Sequence, residues 1–256
     1  MNSSNDRQHG IALTVTDWAA WASGLQAQDA WRQWAASPFI PAGLEVPALP
    51  EVPALQRRRI DRMGRMAMQA AWWCSEAHAS GVPLVFASRH GDVQRSCELL
   101  AQLTSAEPMS PTQFGLSVHN AIAALYSIVR GERGNYLALA AGRATVEAAL
   151  VEAAGLLADG AAEVQVVMFE APLPAIHATF ADEVDAGYAW GWRLRANGIG
   201  PRLSLTWSEC AGDAMGAADA VALPTGLAAL RFFLSGDTSY EHCVDGVRWY
   251  WQCERN

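Results

Sequence analysis

Several short stretches gather side chains able to do chemistry. Ser88-Arg89-His90-Gly91-Asp92 holds the residue types of a serine nucleophile site. Such a site needs hydroxyl, imidazole and carboxylate to converge in space, which adjacency in sequence does not provide. A strand-end turn, with Asp92 capping the next helix, is the plainer expectation. His119 and Asn120 are neighbours on a predicted helix. Adjacent helical residues point about 100° apart, so packing is expected there rather than a shared substrate atom. Glu241-His242-Cys243 sets one His beside one Cys, with no second cluster spaced for zinc; a structural or solvent-facing role is expected. The 5 cysteines, Cys74, Cys97, Cys210, Cys243 and Cys253, are odd in number and form no CxxC pair. That argues for reduced thiols over a disulfide framework or zinc ribbon. No metal and no cofactor is expected.

Arg57, Arg58, Arg59, Arg62 and Arg65 crowd one short segment of a chain whose net charge is -8. The acidic balance disfavours nucleic acid as a partner, because phosphate contacts need clustered Lys and Arg over a surface. A local basic ridge instead suits an acidic protein; pairing with nearby carboxylates or cover of a dimer contact are the alternatives. The 256 residues allow a sizeable core, and 51% hydrophobic against 17% charged residues is the balance of a folded protein. No uninterrupted apolar run of about 18 residues occurs, since Glu147 and Glu152 break the richest helix. The polar start MNSSNDRQHG lacks the core of a signal peptide, so a cytoplasmic protein without a membrane span is expected.

The elements that position these residues read as follows. Gly10–Thr16 predicts a first strand, and Asp17 a cap for a helix containing Trp18, Trp21 and Trp31. Five prolines between Pro38 and Pro53 mark a surface loop. A long helix is predicted over Arg58–Ala79, a buried strand over Pro83–Ser88, and a helix from Asp92 to Leu103. Ser110-Pro111-Thr112-Gln113 has the signature of a helix start, running to about Val129. Tyr136–Ala141 predicts a strand, Ala144–Ala158 a helix and Ala162–Glu170 another buried strand. Beyond these, Gly187–Arg195 and Leu203–Trp207 alternate as strands, Leu223–Leu234 is a helix, and Val247–Cys253 a last strand with Val247, Trp249 and Trp251 on one face. Alternating buried strands and amphipathic helices give an α/β layered fold. Most of the 11 tryptophans fall at core spacing, with some free to mark an interface.

RRRIDRMGRMAMQAA (Arg57–Ala71), VFASRHGD (Val85–Asp92), SPTQFGLSVHNAIAALYSI (Ser110–Ile128) and VVMFEAPLP (Val166–Pro174) stand in the order of corresponding segments in β-ketoacyl synthases. Together they resemble the small ketosynthase-like proteins that act as chain-length factors in aryl polyene synthesis. The resemblance is good over residues 10–175 and looser over 180–256. It implies a single thiolase-like domain with a reduced C-terminal half.

In ketosynthases the join between a strand and the next helix carries a Cys. A thiolate there is stabilised by the helix dipole and unpaired N–H groups. Laid without gaps from Gly134 to Glu163, the family pattern places Arg143 at that position; a shift of one residue gives Gly142 or Ala144. None of these can form a thioester. The family also uses two His from its C-terminal half, and after residue 207 this chain has His242 alone, in an unrelated context. The resemblance therefore implies a chain silent in condensation that pairs with a catalytic ketosynthase and receives an acyl carrier protein. It places Gln113, Phe114, Val118, Asn120, Tyr136, Leu137 and Leu139 at the partner contact and acyl tunnel, and Arg57, Arg58, Arg59 and Arg62 at the carrier docking site. Arg143 either fills the vacated pocket against a carboxylate or lies at the surface. An acyltransferase or condensing enzyme with a non-standard nucleophile, and a stand-alone binding module, are the alternative functions.

Overall fold

The computed structural model describes residues 9–75, 81–210 and 222–255. In chain order the elements are β1 (His9–Ala22), α1 (Gln28–Ala36), α2 (Ala54–Arg57), α3 (Arg62–Trp73), β2 (Leu84–Ala87), α4 (Val93–Thr104), α5 (Pro111–Gly115), α6 (Ala121–Arg130), β3 (Tyr136–Leu139), α7 (Thr145–Ala158), β4 (Val164–Glu170), a 3-10 turn (Ala175–Phe180), β5 (Tyr188–Arg195), β6 (Arg202–Glu209), α8 (Thr225–Ser235), β7 (Ser239–Val244) and β8 (Val247–Glu254).

Among the described residues the strands form one eight-stranded sheet in the order β3-β2-β4-β5-β1-β6-β8-β7. β2 runs parallel to β3 and β4; every pairing from β4–β5 onward is antiparallel. β2 and β4 are covered on both faces, which is why they read as unbroken apolar runs rather than alternating ones; β3, at the edge, is only partly buried. On β4, Val164, Val166 and Met168 face one core, and Val167 and Phe169 the other. The first core also holds Trp31 and Trp34 of α1, Val146, Leu150 and Leu157 of α7, and Leu227, Leu230 and Phe233 of α8. The second holds Met63, Met66 and Ala70 of α3 with Ile122 and Tyr126 of α6. The layers are helix, sheet, helix.

Several sequence expectations are corrected. The first strand does not stop at Thr16. β1 continues through Trp18 and Trp21, and the helix begins only at Gln28. A bulge between Val15 and Asp17 shifts the phase, so that Leu13 and Val15, then Trp18, Ala20 and Ala22, all face the first core. Asp17 accepts from the Trp18 N–H within the strand and caps no helix. The predicted helix over 58–79 begins at Arg62, because Asp61 accepts from the Gly64 N–H at 2.7 Å and sets its start. Its predicted far end, 76–79, lies outside the described residues. The helix from Ser110 is two helices. Ser117 donates to the Phe114 carbonyl at 2.8 Å, a side-chain bond of the kind that competes with helix continuation. Strand β7 was not expected. Its hairpin with β8 turns on Asp245 and Gly246, with φ of 51° and 77°, a pair that two-residue hairpins favour.

Candidate functional site

The join between β3 and α7 is built by Ala140–Thr145. Gly142 takes φ +55°, a left-handed value that glycine adopts without strain. Thr145, fully buried, accepts from the Ala141 N–H at 3.0 Å and donates to the Gly142 carbonyl at 2.6 Å. Those bonds close the turn with a hydroxyl already committed to backbone. Arg143 stands just ahead of the helix, where an exposed cation opposes the dipole by about 0.3–1 kcal/mol. Its side chain is only 18% exposed, and its guanidinium lies 3.5 Å from the Asp245 carboxylate on the β7–β8 turn. The third helical residue, Glu147, has the sign that the dipole favours. It is 1% exposed and lies 2.7 Å from the equally buried His242 of β7. The start of α7 is therefore tied to the β7–β8 hairpin by two side-chain contacts, and none of Gly142, Arg143 and Ala144 carries a thiol.

A second polar cluster sits at the ends of β2 and β4. The Arg89 guanidinium donates to Glu183 at 2.8 Å and also meets Asp182. The Arg89 N–H donates to Glu170 at 2.6 Å, and Glu183 accepts from the Thr225 N–H at the start of α8. Burial pushes the Glu170 carboxyl up to about 8, with Arg89 opposing the shift and Glu183 adding to it. Glu183 is also raised by burial, against the charges of Arg89 and Arg143. Ser88, His90 and Asp92 do not converge. The Ser88 hydroxyl accepts from the Gly91 N–H, and Asp92 caps α4 by accepting from the Arg95 N–H. His119 lies 3.2 Å from the Leu139 carbonyl, tying the α5–α6 turn to β3.

The arginine group divides by contact. Arg57 donates to the Leu49 carbonyl, Arg62 to those of Glu45 and Gly43, and Arg65 to those of Ile60 and Arg57. These three side chains hold the proline-rich loop and the start of α3 to the body. Arg58 and Arg59 are exposed and border a cleft of about 430 Å³ between the starts of α3 and α4 and residues 171–173.

The residues assigned to a partner contact lie on α5, on the turn that follows it and on β3. β3 is an edge strand of the sheet. α5 buries no side chain; its Phe114 is 60% exposed, Gln113, Val118 and Asn120 are exposed, and Leu137 of β3 is 36% exposed. Tyr136 and Leu139 are half-buried. Elsewhere, Cys97 Sγ of α4 lies 3.3 Å from His177 Nδ1 of the 3-10 turn. Among the described residues no group of three or more His, Cys, Asp or Glu side chains is placed to hold a metal ion, and no helix is long and apolar enough to cross a membrane.

Sequence reasoning missed Glu147, Glu170 and Glu183. The first two interrupt apolar runs, which was a readable signal of paired buried carboxylates. Glu183 lies in a polar loop and carried none. His242 is fully enclosed and paired, not solvent-facing.

A family model described as the N-terminal domain of β-ketoacyl synthase matches residues 31–252. No curated protein matches the chain. Among solved structures, a ketosynthase in complex with its chain length factor from Xenorhabdus doucetiae matches at 27% identity and TM-score 0.79, covering 94% of this chain and 99% of that one. The ishigamide ketosynthase/chain length factor matches at 17% identity and TM-score 0.60, covering 77% and 67%. A β-ketoacyl synthase from Burkholderia phymatum matches at 12% identity and TM-score 0.55, covering 72% and 59%. The fold is thus the thiolase-like one of ketosynthases, here truncated.

The buried Glu170 carboxyl gives a pH prediction. Its folded-state value, about 8, stands above the unfolded value near 4.5. The folded state therefore binds the extra proton in that window, and stability falls as pH rises through it. Thermal melts should show a midpoint that declines from pH 5 to pH 8, with a shallower decline in Glu170→Gln; equal slopes would remove Glu170 as the cause.

Proposed function

On the premise that the chain belongs to the β-ketoacyl synthase N-terminal domain family, we propose that it is a non-condensing, chain-length-factor-like subunit. It pairs with a catalytic ketosynthase in aryl polyene or related polyketide elongation and shapes the partner's acyl tunnel. One observation carries this reading. The join that the resemblance assigns to a ketosynthase's thiol holds the Arg143–Asp245 contact instead, beside a buried Glu147–His242 pair. No residue of Gly142–Ala144 can form a thioester, so on this reading the acylated intermediate forms on the partner chain.

Three further observations support it. The match to a chain in a ketosynthase–chain length factor complex covers nearly the full length of both, whereas the chain spans 59% of the Burkholderia phymatum synthase. The β3 edge offers unpaired backbone groups to a strand of a partner. The exposed Phe114, Val118 and Leu137 provide apolar area for an interface. On this reading Gln113, Phe114 and Val118 border the tunnel and limit chain length by filling space, since packed volumes tolerate even one added methylene poorly.

Co-expression with a ketosynthase tests the pairing, with recovery at one to one as the expected result. In that pair Phe114→Ala should shift products to longer chains, and an unchanged distribution would exclude Phe114 as the stop. The carrier protein, an acidic partner, docks on the ridge exposed by Arg58 and Arg59, with Arg57 and Arg62 holding its base. Arg58→Glu with Arg59→Glu should weaken carrier binding about tenfold at low ionic strength and progressively less as salt is added.

A second reading has one observation in its favour. Cys97 has an imidazole within hydrogen-bond reach, the arrangement of an activated thiol. It would make the chain an acyl-transferring enzyme with a non-standard nucleophile. Incubating the isolated chain with an acyl thioester separates the two, because an adduct on Cys97 supports the second reading and an unmodified chain the first.

A further inference from the structure

Arg95 of α4 joins two regions that the proposed function treats separately. Its side chain is largely buried, and each of its three nitrogens is engaged. Nε donates to Asp92 at 2.9 Å at the start of its own helix. One terminal nitrogen meets Asp61, which caps α3 two residues after Arg59. The other donates to the Gln113 side-chain carbonyl on α5, next to Phe114. The same cleft of about 430 Å³ is lined by Arg58, Arg59, Asp61, Arg95 and Gln113. Whatever enters beside the basic ridge therefore meets the group that holds α5.

α5 has little else to hold it. It is five residues long and buries none of them. Its cap, Ser110, is exposed. Asp61 and Asp92 bring two carboxylates to one guanidinium, and the fork of Arg95 is what keeps both charged groups and Gln113 in register. A planar guanidinium does this by direction as well as charge, which an ammonium does not reproduce.

We propose that Arg95 is a positioning residue that couples occupancy of the basic ridge by an acidic carrier to the setting of α5 and its Phe114 side chain. This rests on the chain-length reading given above. An anionic group docked at Arg58 and Arg59 competes with Asp61 and Asp92 for Arg95, and the Gln113 bond responds. Linkage then requires the converse, that a change at Gln113 alters carrier affinity.

The test has an arm that does not depend on the partner. Amide exchange over residues 112–115 is followed in the isolated chain for wild type, Arg95→Lys and Gln113→Ala. Both substitutions should speed it about tenfold, with the urea midpoint of the whole chain unmoved in Gln113→Ala. Unchanged exchange in Gln113→Ala, whose residue is exposed and whose loss spares the fold, would overturn the tie. In the reconstituted ketosynthase pair, Arg95→Lys and Gln113→Ala should each raise the carrier KM severalfold and shift product length alike. The double variant should go no further than either alone; additive effects would overturn the coupling. Failure of the wild-type chain to pair would count against the proposed function, while the exchange arm still decides whether Arg95 holds α5.

Discussion

A helix N-terminus that faces the interior has to be met by charge, and much of this structure follows from how α7 meets that demand. Its first backbone N–H groups and its dipole call for an anion. In a condensing enzyme a thiolate answers that field. Here Glu147 does, from the third helical position, held by His242. Once that carboxyl is buried it needs a hydrogen-bond partner, because an unsatisfied buried polar group is costly, and the His242 imidazole supplies one. The hairpin that delivers His242 also delivers Asp245 to Arg143. The C-terminal hairpin is thus fastened to the β3–α7 join by contacts made to the turn and the first helical residues.

The rest of the molecule positions that turn. β3 and β2 run side by side into the cluster of Arg89, Glu170 and Glu183, and α7 returns across the sheet through Val146, Leu150 and Leu157 into the first core. Strands from both halves of the chain lie in one sheet, so the hairpin has a fixed place relative to α7. The side of β3 away from this machinery keeps its edge open and its neighbours apolar.

Much of the fold was legible in local patterns. The Asp92 cap, the Ser110-Pro111 start and the buried runs of β2 and β4 all follow from short-range rules. The failures were non-local. Trp18 and Trp21 looked helical because β1 is covered on both faces, which removes the alternation that marks a strand. The β7–β8 hairpin was announced by Asp245-Gly246 but passed over. At the site, the absence of a thiol from residues 142–144 was readable from the sequence. The Arg143–Asp245 and Glu147–His242 contacts were not, since their partners lie about 100 residues apart and only the sheet order brings them together. The arginine run read as one basic ridge, whereas three of its five members are spent on backbone carbonyls.

The most direct test is subunit-resolved intact mass spectrometry of a ketosynthase pair containing this chain, quenched while it turns over acyl-carrier substrate. The account predicts acyl mass on the partner alone, with this chain at its unmodified mass throughout. A covalent acyl group on this chain, at any residue, would contradict it.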